Sequence, residues 1–188
     1  MSLEVTLTPL PGVRLLTPRV FGDARGFFLE TWQAEKYRAA GMDTPFVQDN
    51  VSRSRRGVLR GLHFQYRRPQ AKLVGVIRGA VYDAAVDIRV GSPTFGRWFG
   101  ATLSDENHAQ MFIPAGFAHG FCVLSETCDF FYKCSDYYDP DGEAGVIWND
   151  PAIGIAWPDA APALSAKDAA LPKLADVPAD RLPVWTPV

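Results

Sequence analysis

The sequence predicts an all-β sandwich or barrel with a few short helices, and three observations lead there. Short runs rich in β-branched and aromatic residues recur at regular spacing; glycine, proline, serine and aspartate fill the breaks; helical periodicity is scarce. The first strand candidate is GFFLE (26–30). TWQAEKYRAAG (31–41) follows as the best helix candidate, with Thr31 placed to cap it and Gly41 to end it. Strand candidates then run in order: FVQDNV (46–51), VLRGLHF (58–64), KLVGVI (72–77), AVYDAAVDI (80–88), WFGATL (98–103), QMFIP (110–114), GFCVL (120–124) and DFFYK (129–133). Each carries Val, Ile, Phe, Tyr or Trp, the side chains that suit a pleated sheet. KLVGVI and AVYDAAVDI, joined around Arg78-Gly79, read as a hairpin. After Pro151 the chain becomes rich in proline and alanine, and LSAKDAALPKL (164–174) has room for one short helical turn. Trp157 and Trp185 lie in this tail, so it is expected to pack along the barrel, because a tryptophan is a strong anchor when buried. There is no internal repeat and no linker, so one domain over 1–188 is expected, its tail beginning near residue 151.

The chain has 188 residues, 47 % of them hydrophobic, enough for one sizeable core. A net charge of −2 points to neither nucleic acid nor a membrane surface as partner. MSLEVTLTPLPGV lacks the charged start and apolar run of a signal peptide, and no apolar stretch is long enough to span a bilayer. Cys122, Cys128 and Cys134 have neither the even count of a disulfide framework nor CxxC spacing, and read as thiols in a reducing cytoplasm. Charge is uneven along the chain. Between Asp49 and Asp83 there is no acidic residue, while Arg53, Arg55, Arg56, Arg60, Arg67, Arg68, Lys72 and Arg78 are all basic, a field that attracts phosphate-bearing ligands. SRSRR (52–56) is read equally well as a solvated loop. Arg60 and Lys72 lie in apolar strands, where a charge needs a partner, and these two are assigned to a ligand.

Three stretches are candidates for chemistry. The first is LRGLHFQ (59–65), with Arg60 and His63; the second is IPAGFAHGF (113–121), with His119; the third is DFFYKCSDYYDP (129–140), aromatic and acidic, with Tyr132, Tyr137 and Tyr138. P-x-G-x-x-H at 114–119 resembles the second motif of cupins, small jelly-roll barrels. The first slot here holds a single histidine, and Asp83 is the next carboxylate, too few donors for an iron or zinc site. His108, in SDENHAQ, reads as a surface residue. Without a metal, His63 suits proton abstraction, since its unperturbed pKa lies close to neutrality and a carboxylate can fix its tautomer. A tyrosine can return a proton from another direction and a lysine can stabilise an enolate oxygen. Taken singly, His63 is more often a satisfied core histidine, Tyr132 a packing residue, Asp168 a turn cap and Lys167 a solvated side chain. Arg60 and His63 have opposite strand parity, so they share a cavity only if the strand bulges or bends. Asp83 is expected to neutralise Lys72 from a neighbouring strand, the alternative being a rim carboxylate.

The sequence resembles the dTDP-4-dehydrorhamnose 3,5-epimerases of the cupin superfamily over most of its length, from about residue 18 to about residue 172. The matching stretches include FGDARGFFLETW (21–32), FVQDNVSRS (46–54), VLRGLHFQ (58–65), AKLVGVIRGAVYDAAVDIR (71–89), SPTFGRW (92–98), IPAGFAHGF (113–121), YKCSDYYDP (132–140), WNDPAIGIAWP (148–158) and LSAKDA (164–169). The resemblance implies a cytoplasmic homodimer of jelly-roll subunits with no cofactor and no metal. It implies that dTDP-4-dehydro-6-deoxy-D-glucose is epimerised at C3 and C5 to dTDP-4-dehydro-L-rhamnose. By the same resemblance His63 is the base, Asp168 its orienting carboxylate, Tyr132 the proton donor and Lys72 the group near the C4 oxygen. Substrate-binding positions fall on Arg25, Glu30, Gln48, Asn50, Arg60, His119, Glu143 and Lys167, with Tyr138 as a wall for the thymine. Gly75, Tyr82, Ala84, the loop YRRPQ (66–70) and the last residues of the tail depart from the family pattern without touching the proton-transfer set. The alternatives are a single-position epimerase of a deoxysugar pathway, a metal-dependent cupin oxygenase and a non-catalytic nucleotide-sugar binder.

Overall fold

A computed structural model describes residues 3–186. Residues 1, 2, 187 and 188, which include the ends of the expected domain and the last proline of LPVWTP, lie outside the described residues. The strands are β1 (Leu3–Leu7), β2 (Arg14–Pro18), β3 (Val20–Asp23), β4 (Gly26–Leu29), β5 (Gln48–Arg55), β6 (Leu59–Gln65), β7 (Lys72–Arg78), β8 (Ala80–Asp87), β9 (Trp98–Ser104), β10 (Gln110–Ile113), β11 (Phe117–Val123), β12 (Thr127–Cys134) and β13 (Glu143–Gly145). Two short helices, α1 (Ala34–Ala39) and α2 (Ala166–Ala169), complete the set. The strands form a six-stranded sheet ordered β1-β2-β10-β7-β12-β5, a five-stranded sheet ordered β13-β6-β11-β8-β9, and a separate β3-β4 hairpin. From β5 to β8, and again from β9 to β12, the chain steps between the two large sheets, which gives the jelly roll. Their inner faces share one core: Val74, Val76, Met111 and Phe130 from the six-stranded sheet meet Val81, Ala85, Leu103, Phe117 and Phe121 from the other.

The expected hairpin at Arg78-Gly79 is not one. β7 pairs with β10 and β12, whereas β8 pairs with β9 and β11, so Gly79 is a corner between sheets. A β-carbon on Gly79, at φ +87°, would lie 2.3 Å from Ser125 Oγ and from the Thr127 carbonyl oxygen, so the corner needs glycine. Both strands are flanked on both sides, and their nearly continuous apolar runs serve central strands rather than an isolated pair. The helix also starts later than the sequence suggests. Gln33 caps α1, its side chain accepting from Lys36 N at 2.6 Å, while the Thr31 carbonyl accepts from Tyr37 Oη and Gln110 Nε2. Strands β1, β2, β3 and β13 lie outside the expected segments; β1 alternates Leu3, Val5 and Leu7 with Glu4 and Thr6 yet is largely exposed, and β3 is exposed throughout.

β5 extends past the expected segment into SRSRR. Its inward positions are polar: Gln48, Asn50 and Ser52 line a cavity, and Ser54 is buried. Its arginines point outward, Arg53 pairing with Asp129 at 2.6 Å. The tail closes the open side of the sandwich, with Ile153, Leu174 and Val177 buried against Leu62, Phe64 and Ile88. Among the described residues no helix is long and apolar enough to cross a membrane.

Asp87 anchors the turn after β8. It is fully buried and accepts from Arg89 Nη2 at 2.7 Å, Ser92 Oγ at 2.6 Å and Thr94 Oγ1 at 2.6 Å. Burial raises its pKa, but the hydrogen bonds from Arg89, Ser92 and Thr94 outweigh it and hold the carboxyl below the usual range. A folded-state pKa below the unfolded one contributes stability that is present above about pH 4 and is lost as pH falls through the folded value. Asp87→Asn is expected to cost about 3 kcal/mol at pH 7 in urea unfolding. The gap to the wild type should close only in acid; a gap unchanged down to pH 2 would contradict this account.

Candidate active site

A cavity of about 530 Å³ opens between the two sheets, and His63 lies on its wall. Its place there depends on a bulge. His63 pairs with His119, but Arg60 pairs with Phe121, so β6 spends one more residue than β11 over the same span. That extra residue resolves the parity conflict and lets both Arg60 and His63 line the cavity. Gly61 makes the bulge possible. It sits at φ +121°, and a β-carbon there would lie 2.6 Å from Gly120 Cα and 2.7 Å from the His119 carbonyl oxygen. Gly61→Ala is therefore expected to destabilise the fold by at least ~2 kcal/mol, read as a lower urea midpoint. A midpoint equal to wild type would mean that the two strands can move apart freely.

His63 Nε2 lies 2.6 Å from Asp168 Oδ1, across 105 residues of sequence. The tail brings Asp168 in on α2, which Ser165 caps by accepting from Asp168 N at 3.0 Å. Burial raises the Asp168 pKa, but the hydrogen bonds from His63, Ser165 and the Gly61 backbone outweigh it and keep the carboxyl ionised. An ionised acceptor at Nε2 fixes the proton there and leaves Nδ1 as the basic nitrogen.

His119 enters from β11, 7 % exposed, with Nε2 at 2.9 and 3.1 Å from the two oxygens of Asp83. Its ring stacks on Phe130 at 6.1 Å. Burial pushes its pKa down and Asp83 opposes that shift, leaving it lowered. Asp83 is thus neither a rim carboxylate nor the hydrogen-bonded partner of Lys72: it is fully buried and faces His119. Lys72 lines the cavity from β7. Burial pushes the pKa of its ammonium down, while the carboxylates of Asp83 and Glu143 oppose that shift through space. Tyr132 reaches the cavity from β12, in the sheet opposite His63, and burial raises its phenol, so it is protonated at neutral pH.

A polar cluster closes one end. Tyr138 donates from Oη to Glu143 Oε2 at 2.7 Å, Lys167 Nζ pairs with the same oxygen at 2.5 Å, and Gln48 Oε1 accepts from Tyr138 N at 3.0 Å. Gln48 Nε2 in turn donates to Asn50 Oδ1 at 3.0 Å. Burial raises the Glu143 pKa, but Lys167 and the Tyr138 hydroxyl outweigh it and keep it lowered. Arg60 is steadied elsewhere by donation from Nε to Ser54 Oγ at 3.0 Å, which leaves its terminal nitrogens for a ligand.

His63, Lys72, Tyr132, Asp168, Gln48, Asn50, Arg60, His119, Tyr138, Glu143 and Lys167 thus meet at one cavity. Arg25 and Glu30 do not line it. Arg25 sits at the tip of the β3-β4 hairpin, its side chain 90 % exposed and paired with Asp23, and Glu30 pairs with Lys36. The hairpin is its own small sheet, so its residues do not share the walls of the sandwich. Sequence reasoning missed Ser52, Gln65, Gln70, Phe121, Phe130 and Cys134 as cavity-lining residues. Period-two reading from Asn50 and His63 would have found Ser52 and Gln65. Among the described residues no three His, Cys, Asp or Glu side chains converge as metal ligands do.

A jelly roll whose cavity sets a His–Asp pair on one side against a half-buried lysine and a phenol carried by two paired strands of the opposite sheet is the frame of a cupin-type sugar isomerase. The family model described as dTDP-4-dehydrorhamnose 3,5-epimerase matches residues 7–176, and the chain belongs to that family. The dTDP-4-dehydrorhamnose 3,5-epimerase of Pseudomonas aeruginosa is 54 % identical over 168 residues, covering 88 % of this chain and 93 % of that protein. The protein of the same name from Neisseria gonorrhoeae is 56 % identical over 169 residues, 89 % of this chain but 52 % of the relative, so this chain spans about half of that relative's length. A crystal structure of dTDP-6-deoxy-D-glucose-3,5-epimerase from Legionella pneumophila, in complex with dTDP-4-keto-L-rhamnose, superimposes with a TM-score of 0.97 at 48 % identity. That match covers 99 % of this chain and 100 % of the other.

Proposed function

We propose that this protein epimerises dTDP-4-dehydro-6-deoxy-D-glucose at C3 and C5 to dTDP-4-dehydro-L-rhamnose, as a homodimer in the cytoplasm. The observation that carries the reading is the His63–Asp168 pair at 2.6 Å on one wall with Tyr132 entering from the opposite sheet. C3 and C5 flank the C4 ketone, so their protons are acidic enough for an imidazole to remove. His63 takes a proton from one of these carbons, and the electron pair of the C–H bond moves onto the C4 oxygen as an enolate. Lys72 holds that oxygen. Asp168 stabilises the imidazolium that forms. Tyr132 returns a proton to C5 from the face opposite the base, and the carbon inverts; at C3 water returns the proton, and His63 and Tyr132 each re-equilibrate with solvent between the two steps. Arg60 binds the diphosphate, and Tyr138 with the Glu143–Lys167 pair holds the nucleotide end. The Legionella structure bound to a dTDP-4-keto sugar supports this ligand class.

NMR of the nucleotide sugar incubated with the protein in heavy water tests the reading. Deuterium is expected at both C3 and C5, with accumulation of the L-sugar. Exchange at only one carbon would make the protein a single-position epimerase, and no exchange at either would end the reading.

A further inference from the structure

Two buried side-chain polar atoms among the described residues have no hydrogen-bond partner: Ser52 Oγ and Gln65 Oε1. Both residues line the His63 cavity. Buried polar groups are nearly always paired, because an unpaired one costs about 1–3 kcal/mol. Two exceptions on the walls of one cavity mark where a ligand's polar atoms complete the pairing.

Gln65 is the more informative of the two. It is 8 % exposed, and it lies two residues beyond His63 on β6, on the same face of the strand. Its orphan atom is a carbonyl oxygen, which only accepts, so the ligand must supply an O–H or N–H. An ionised diphosphate offers neither. Gln65 lies between the two ends of the cavity, two residues from His63 and directly across the ladder from Glu143, but at this depth it is as buried as His119, whereas Tyr138 at the rim is 52 % exposed. The hexose is therefore the better match. In a 4-dehydro-6-deoxyhexose joined to phosphate at C1, the ring keeps hydroxyls at C2 and C3 alone. The C3 hydroxyl changes configuration during the reaction; the C2 hydroxyl does not, and can be held from the first proton transfer to the last.

We propose that Gln65 is a further substrate-contacting residue, accepting a hydrogen bond from the C2 hydroxyl of the hexose and so keeping the ring over His63 at both half-reactions. This rests on the epimerase reading of the cavity. The test is steady-state kinetics of Gln65→Met, which keeps the length of the side chain and removes the acceptor, with Gln65→Leu as a second variant should the first fold poorly. kcat/KM for the nucleotide sugar is expected to fall about five- to tenfold, while the affinity for dTDP, which has no hexose, stays within about twofold of wild type. On the 2-deoxy analogue of the hexose the wild type and the variant should be equal, because the partner hydroxyl is gone. Three results would each overturn the proposal: unchanged kcat/KM, a parallel loss of dTDP affinity (contact with the nucleotide instead), or the same loss on the 2-deoxy analogue (a structural role). If the wild type itself neither binds dTDP nor exchanges protons at C3 or C5, it is the epimerase reading that fails, and this proposal falls with it.

Discussion

His63→Ala is expected to abolish deuterium incorporation at both C3 and C5, a loss on the order of a thousandfold or more, with dTDP affinity within about twofold of wild type. The size follows from the role. A positioned base contributes about 10²- to 10⁴-fold, and His63 has in addition a buried carboxylate 2.6 Å away that stabilises its protonated form. The other histidine on the cavity wall is a poor substitute. His119 faces Asp83 through Nε2, and its pKa is lowered by burial, so it is a weaker base locked to another partner. Affinity for the nucleotide should survive, because Tyr138, Glu143 and Lys167 hold one another independently of the imidazole. Exchange at either carbon within tenfold of wild type would refute His63 as the base. Calorimetry with dTDP and a melting temperature on the same sample separate loss of chemistry from loss of fold.

Tyr132→Phe should have the second largest effect, and a different signature. Removing the phenolic hydroxyl leaves the base, the lysine and the carboxylate in place, so proton loss continues. What fails is delivery of a proton to the opposite face of C5. Net formation of the L-sugar is expected to fall about a hundredfold, while exchange of substrate protons falls far less. The phenol suits this part because burial raises its pKa, keeping it protonated, and because β12 carries it in from the sheet opposite His63. The packing cost is small, since the ring that contacts Phe130 is retained. Exchange followed by NMR and product followed by chromatography give the ratio directly; equal loss of both would contradict the donor role.

Much of the fold was legible because strands write themselves locally. The segments at 58–64, 72–77, 80–88, 98–103 and 110–114 lie within one or two residues of β6 to β10. The misses have physical causes. β3 is exposed throughout and carries no alternation, while β1 does alternate Leu3, Val5 and Leu7 with Glu4 and Thr6 but is only five residues long and buries little of that apolar set. SRSRR reads equally well as a loop because its inward positions are serines; they face a polar cavity or pair with Arg60 rather than entering a greasy core. The corner at Gly79 looked like a hairpin because a short glycine turn serves either purpose, and only the partners of β7 and β8 distinguish them.

The site divides in the same way. Motif resemblance placed His63, Tyr132, Lys72 and Asp168 in one set, and the polar groups at the Tyr138 end beside them. It offered no hint that Asp83, which acts on Lys72 only through space, is hydrogen-bonded to His119, nor that Arg25 at a hairpin tip and Glu30 just past that hairpin stand away from this chain's cavity. By itself the chain of residues determined a strand-rich molecule, the positions of its turns and the chemical types available for moving a proton. The tertiary structure alone decided which sheet each strand joined, that β6 bulges at Gly61, and that an imidazole and a carboxylate 105 residues apart meet at hydrogen-bond distance. The reason is the range of the forces involved. Side-chain alternation and turn chemistry act over a few neighbouring residues, whereas strand partners, buried pairs and the walls of a cavity are settled by contacts between segments far apart in the chain.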